Sequence, residues 1–159
     1  LEKIIIAAVS ANRVIGRNGV TPWHLTEELK HFKNTTTGFP VIMGKNTWET
    51  LKNPLENRLN IVLTRNTFYS FIHPNVVICN SIPESLSYCE KNSYSKIFFI
   101  GGGEIFKHTI SIVDRMIISS IKLDFEGDCY FPEFDKNEWE LVTSADKNDF
   151  VISEYLRRR

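Results

Sequence analysis

One carboxylate stands out for its setting. In Leu25-Thr26-Glu27-Glu28-Leu29-Lys30-His31-Phe32, helical spacing puts Leu25, Leu29 and Phe32 at i, i+4 and i+7, along one apolar stripe. Glu28 falls at the edge of that stripe, while Glu27, Lys30, Lys33 and Asn34 point elsewhere. A carboxylate facing an apolar interior is costly unless it is paired, hydrogen-bonded or shifted in pKa. Glu28 is therefore a candidate for holding a polar ligand; a rim glutamate that bends toward water is the plain alternative. Just upstream runs Gly16-Arg17-Asn18-Gly19-Val20-Thr21-Pro22-Trp23, whose glycines and proline read as a long, shaped loop. Loops at the carboxyl ends of parallel strands are where α/β proteins bind ligands. A simple connector, with Trp23 as core filler, is the competing reading.

Other pieces suit anions. Gly101-Gly102-Gly103 lies between an apolar run and the helix expected from Glu104, where bare backbone approaches a ligand and helix-start amides suit a pyrophosphate. It is not GxGxxG, and a mere turn also fits. Gly44-Lys45 is not a Walker A loop: Phe39 stands where its first glycine belongs, and Asn46 where Ser or Thr belongs. Lys45 and Arg65, each just past a strand, could still clamp one phosphate, or be ordinary solvated cations. Arg58, in the polar loop Asn53–Arg58, is either a carboxylate fork or a surface charge. The four histidines show no ligand spacing, so no metal site is expected, and no Ser/His/Asp arrangement emerges.

The elements that must position these residues come from hydrophobic rhythm. Ile4–Val9, Val41–Met43, Ile61–Thr64, Val76–Cys79 and Ile97–Ile100 are nearly continuous apolar runs, which signal strands covered on both faces and usually parallel. Helical patterns fall between them at Leu25–Asn34, Asn46–Leu51, Pro83–Asn92 and Glu104–Ile110. Arg115–Leu123, Trp139–Thr143 and Val151–Leu156 then follow without intervening helices. The expected fold is α/β: a central, mostly parallel eight-stranded sheet with an antiparallel C-terminal edge and about four flanking helices. At 159 residues, a single domain over 1–159 is expected. Lys plus Arg equals Asp plus Glu, so no global field draws the chain to nucleic acid or an anionic membrane. The three cysteines are odd in number and lack CxxC spacing, which fits reduced thiols and a cytoplasmic protein. Ile4–Val9 is too short for a signal-peptide core, no run could span a bilayer, and a monomer is the default. The chain opens on Leu1 rather than Met, so a residue or two is expected to precede it.

Read together, IIIAAVSANRVIGRNG, TPWHLTEELKHFK, PVIMGKNTWETL, NPLENRLNIVLTR, IFFIGGGEIF and FEGDCYFP resemble the dihydrofolate reductase family. The match covers essentially the whole chain, whose length is similar to that of the short bacterial members. Singly some segments are weak; in this order and spacing they are specific.

The resemblance implies NADPH-dependent reduction of dihydrofolate to tetrahydrofolate, by hydride transfer to C6 and protonation at N5, and binding of antifolates such as methotrexate and trimethoprim. It gives Glu28 the task of holding the pterin ring nitrogen and 2-amino group, with Ser119 assisting. Carbonyls of Ile6 and Ile100 would accept from the 4-amino group of antifolates, Leu29, Phe32 and Leu51 would line an apolar slot, and Arg58 would pair with the glutamate-tail α-carboxylate. Ala8, Ile15, Gly16, Asn18, Gly19 and Val20 would flank the nicotinamide. Lys45, Thr64 and Arg65 would hold the adenosine end, with charge favouring the 2′-phosphate, and Gly44, Asn46, Thr47 and Leu63 would also bind the cofactor. Gly101-Gly102 would form a cis peptide, and Gly103, Glu104, Ile105 and Phe106 would meet the pyrophosphate. A water near Trp23 and Thr21 would deliver the N5 proton, and the Gly16–Trp23 loop would act as a lid braced by Phe125–Asp128. Thr21 stands where relatives carry Met or Leu, Phe106 where many have Tyr, and Glu104 where Arg is common. Two alternatives remain at this point: a riboflavin-pathway pyrimidine reductase and an inert nucleotide-binding module.

Overall fold

The near-continuous apolar runs become strands buried on both faces, in a computed structural model that describes residues 1–159. In chain order the elements are β1 (Glu2–Val9), β2 (Val14–Gly16), α1 (Thr26–Thr36), β3 (Val41–Gly44), α2 (Lys45–Glu49), β4 (Asn60–Leu63) and β5 (Val76–Cys79). There follow α3 (Ile82–Lys91), β6 (Lys96–Gly101), α4 (Gly103–Thr109), β7 (Arg115–Ile121), β8 (Cys129–Tyr130), β9 (Trp139–Asp146) and β10 (Phe150–Arg157). Eight strands form one sheet in the order β5-β4-β3-β6-β1-β7-β10-β9. Pairings from β5 to β7 are parallel, and β10 runs antiparallel to both β7 and β9. The antiparallel edge thus comes from one reversed strand slotted between two others.

Period-2 alternation sorts the core into two layers. Ile5, Ala7, Ile42, Ile97 and Phe99 face Cys89 of α3 and Phe106 of α4. Ile4, Ile6, Met43 and Phe98 face Trp48 of α2 and Phe32 of α1. The helices after β1 and β3 therefore cover one face, and α3 and α4 the other. This splits the chain apart beyond the carboxyl ends of β1, β3 and β6, where a crevice must open.

The observed bounds differ from the sequence reading for physical reasons. β9 runs on to Asp146 although only Trp139 in it is buried, because its ladder with β10, not a hydrophobic pattern, holds it. β7 stops at Ile121 rather than Leu123. The two short strands β2 and β8 form a separate ribbon, too short to show a periodic apolar pattern. α1 extends to Thr36, whose hydroxyl donates back to the Phe32 carbonyl at 2.9 Å. α2 ends at Glu49, short of the expected Leu51. α3 starts with a reciprocal cap: Ser81 Oγ accepts from the Glu84 amide at 3.1 Å, and Glu84 accepts from the Asn80 amide at 2.6 Å.

A buried asparagine ties the loop before β4 in place. Asn60 Oδ1 accepts from the Leu55 amide at 2.9 Å, and Nδ2 donates to the carbonyls of Leu55 and Arg58 at 3.0 and 3.1 Å. Truncation leaves those backbone groups unpaired in the interior, which costs more than a surface cap. Asn60→Ala is expected to lower unfolding free energy by about 2–3 kcal/mol in urea titrations. Ser81→Ala should lose about 1 kcal/mol. Equal losses would show that Asn60 does not latch the loop.

Candidate active site

The crevice is a cleft of about 1720 Å³. Single-ligand pockets are roughly 300–1,000 Å³, so there is room for two molecules side by side. Its floor is made by Ile6 and Ala8 of β1, Gly44 at the end of β3 and Ile100 of β6; α1 forms one wall and the start of α4 another.

Glu28 lies in the wall of this cleft, 9% exposed, with no hydrogen bond or ion pair from the protein. Burial alone raises its pKa above the usual carboxylate range. The sequence put it at the edge of the buried stripe; it belongs to the centre. α1 buries Glu28 and Thr36 with half-buried Phe32 between them, at i, i+4 and i+8, so the inward line is rotated from the expected one. Leu29 is accordingly 48% exposed, forming the cleft rim rather than a covered stripe.

Across from Glu28, Trp23 packs its ring against Phe125 at 5.2 Å between centroids. Its indole Nε1 is sequestered without a protein partner, which points to a polar atom supplied from the cleft. Thr21 is exposed on the same wall.

The loop carrying these residues is strapped to the segment before β8. The Asp128 amide donates to the Gly16 carbonyl at 3.1 Å, the Asn18 amide donates to Asp128 Oδ2 at 3.0 Å, and Arg17 pairs with Glu126 at 3.5 Å. Contact is this close because position 127 is glycine: a Cβ there would lie 2.6 Å from the Gly16 carbonyl oxygen and collide with Val14.

On the opposite side, Gly101-Gly102 is a cis peptide and α4 begins immediately after it. A Cβ at Gly103 would stand 2.6 Å from Cys129 Sγ, so a larger residue here would require Cys129 to move. Ile15, Gly19, Val20, Gly102, Gly103 and Ile105 line this half, with Phe106 behind them packed on Phe131 at 5.2 Å. Glu104 points to His108 at 3.3 Å. Further along, Asn46, Thr47, Leu63, Thr64 and Arg65 continue the wall; Arg65 is exposed and makes no ion pair, whereas Lys45 pairs with Glu49 at 3.1 Å.

Some expected residues do not form the wall. Leu51 is half-buried against the layer that contains Trp48, behind the cleft. Gly101 is covered by the Phe106 ring, and Asn18 is turned to Asp128. Ser119 is buried in β7 opposite Ala8, on the α1 face of the sheet. Arg58 stands outside the cleft wall, 7% exposed and without a carboxylate partner. Its Nη1 donates to Thr36 Oγ1 at 3.0 Å, its Nε donates to the Glu56 carbonyl at 2.8 Å, and its guanidinium sits 5.9 Å over the Phe32 ring. Burial lowers its pKa, with Glu56 opposing the shift.

The sequence reading missed wall residues at the β5–α3 junction, Asn80 to Pro83, along with Arg13 and the stretch from Tyr130 to Pro132. The first group ends a parallel strand just as Arg65 does, so the same rule could have found it. Nothing in the local pattern marks the others.

Comparison with known proteins agrees with this geometry. The family model described as dihydrofolate reductase matches residues 3–155. A dihydrofolate reductase of Bacillus subtilis is 40% identical over 139 residues, covering 87% of this chain and 80% of that protein. One from Haemophilus influenzae is 37% identical over 137 residues, covering 86% and 82%. The solved structure of dihydrofolate reductase from Enterococcus faecalis, complexed with NADP(H) and RAB-propyl, superposes with a TM-score of 0.88 at 34% identity, over 99% of this chain and 97% of that one. With the triple-glycine turn, the Pro-Trp loop and the acidic helix meeting in one cleft, the chain belongs to the dihydrofolate reductase family.

Proposed function

We propose that this cleft reduces dihydrofolate to tetrahydrofolate with NADPH, the pterin lying against Glu28 and the cofactor along the triple-glycine side. The observation that carries the reading is Glu28: a desolvated carboxylate with no internal partner, on the wall of a cleft large enough for two ligands. A ligand that offers two parallel N–H donors, as a 2-aminopterin does, supplies what the protein leaves out. The pyrimidine-reductase alternative needs neither Pro22-Trp23 nor Glu28, and Trp23 and Glu28 both line this one cleft.

NADPH suits the other half, where Gly102 and Gly103 leave backbone uncovered and Arg65 offers an unpaired cation. When bound, the cofactor supplies the hydride for C6. Ala8, Ile15 and Val20 would flank its nicotinamide; Gly103, Glu104, Ile105 and Phe106 would meet the pyrophosphate; Lys45, Thr64 and Arg65 would take the adenosine end. The protein's contribution is alignment and exclusion of water. Ionised Glu28 makes the pterin more basic at N5, and a water held by Trp23 Nε1 near Thr21 passes the proton. Backbone carbonyls of Ile6 and Ile100, on the cleft floor, would accept from the 4-amino group of an antifolate. Ser119, on the same sheet face as α1, supports the polar end of the site. Arg58 takes the α-carboxylate of the glutamate tail at the mouth, where it already rests on Phe32. The Gly16–Trp23 loop closes over the ligands, braced by Asp128.

The same reading takes the chain as one domain over residues 1–159, working as a cytoplasmic monomer that binds folates and antifolates rather than nucleic acid. In support, β10 lies between β7 and β9, the cysteines are free thiols, charges balance, and no helix is long and apolar enough to cross a membrane.

Glu28→Gln is expected to cut kcat by about 100-fold or more at neutral pH, followed by loss of NADPH absorbance. It should also stabilise the fold. The native pKa of Glu28 is raised, so the folded state holds more proton than the unfolded state between the two values, and stability falls as pH rises through that window. Glu28→Gln should therefore melt higher than the parent at pH 7–8, with the difference vanishing below the ordinary carboxylate range. A lower melting temperature at neutral pH would mean that Glu28 has a structural partner. Arg58→Ala should raise KM for dihydrofolate by about 30-fold while leaving KM for a pterin without a glutamate tail unchanged. The double change Lys45→Ala with Arg65→Ala should weaken NADPH about 10- to 100-fold and NADH hardly at all. Equal losses would refute the phosphate clamp.

A further inference from the structure

Of the two cations at the adenosine end of the cleft, one is already engaged. Lys45 Nζ lies 3.1 Å from Glu49 Oε1, one helical turn on, and 4.9 Å over the Tyr69 ring. Tyr69 is itself pinned: its hydroxyl accepts from Trp48 Nε1 at 3.0 Å, and the buried Trp48 packs edge-on to Phe71 at 5.0 Å. Lys45 is part of the cleft wall, whereas Glu49 and Tyr69 are not. Glu49 has no other ion-pair partner, and Arg65 has no carboxylate.

We propose that Glu49 is a built-in competitor for the cofactor's phosphate, holding Lys45 until a 2′-phosphorylated nucleotide displaces it, and so setting the margin between NADPH and NADH. The inference rests on the reading of Lys45 as a cofactor contact. An exposed i,i+4 ion pair is weak enough to be exchanged, and a phosphate with more than one negative charge is the stronger partner. NADH carries no such phosphate and gains nothing from freeing the ammonium. Glu49 also keeps like charge beside the ammonium that the phosphate would approach. Both effects weaken NADPH alone. The Tyr69 face keeps the ammonium in place when the carboxylate lets go, because a cation over a fixed ring is held without a counter-charge. Removing Glu49 should therefore leave Lys45 poised rather than loose.

The test is equilibrium titration of intrinsic fluorescence with NADPH and with NADH, for the parent, Glu49→Gln, Lys45→Ala and the double variant. Glu49→Gln is expected to tighten NADPH by about three- to tenfold at low salt and leave NADH unchanged, with the gain shrinking toward about 0.5 M salt as charges are screened. In the Lys45→Ala background the same substitution should lose most of its effect. Weaker NADPH binding by Glu49→Gln, parallel shifts for both nucleotides, or an undiminished effect without Lys45 would each overturn the proposal. If Lys45→Ala alone leaves NADPH affinity unchanged, the assignment of Lys45 to the cofactor falls and the inference with it. If Lys45→Ala weakens NADPH but Glu49→Gln changes nothing, only the competitor role fails.

Discussion

A carboxylate that the protein desolvates but does not pair is the constraint around which the structure is arranged. Glu28 gains nothing for the folded chain: burial raises its pKa and no donor answers it. Such a group costs the fold stability, and a stability cost of this kind in a cleft is a common mark of function. The surrounding parts keep it in that condition. α1 turns it inward toward the cleft, and the Pro22-Trp23 loop contributes an unanswered indole donor to the same cleft.

Arg58 repeats the pattern with opposite charge. Its guanidinium is buried, directed by the Thr36 hydroxyl and the Glu56 carbonyl, and set over an aromatic ring, yet no acid neutralises it. Asn60 holds the backbone from which it projects. Two incomplete charges of opposite sign thus hang from the two ends of α1, Glu28 near its start and Arg58 through Thr36 at its last residue.

Much of this was legible in the residues. Continuous apolar runs such as Ile4–Val9 and Ile97–Ile100 give themselves away because strands covered on both faces need apolar side chains at every position. The Gly101–Gly103 turn and the Glu28 helix were found for similarly direct reasons. What stayed hidden depends on partners distant in the chain. β9 beyond Trp139 is exposed nearly throughout and exists through its ladder with β10. The rotation of α1 that exposes Leu29 is set by how the helix seats on the sheet, which one helix's periodicity does not fix. Tyr130 to Pro132 reach the cleft because glycine at 127 and 103 lets β8 come close, a three-body fit with no local signature.

The reversed strand β10 has a consequence for how the molecule assembles. β9 precedes β10 in the chain, yet β10 is its only neighbour in the sheet. On its own, β9 would find no edge to join, since the free side of β7 is β10's place. The two strands are joined across the Lys147–Asp149 reversal, where Asn148 adopts a positive φ of 76°, so they can close on each other as a hairpin without help from the rest of the sheet. Local hairpin closure is fast compared with pairing of distant segments. β9 then stands as the open edge of the finished sheet, with Leu141 and Val142 exposed on it.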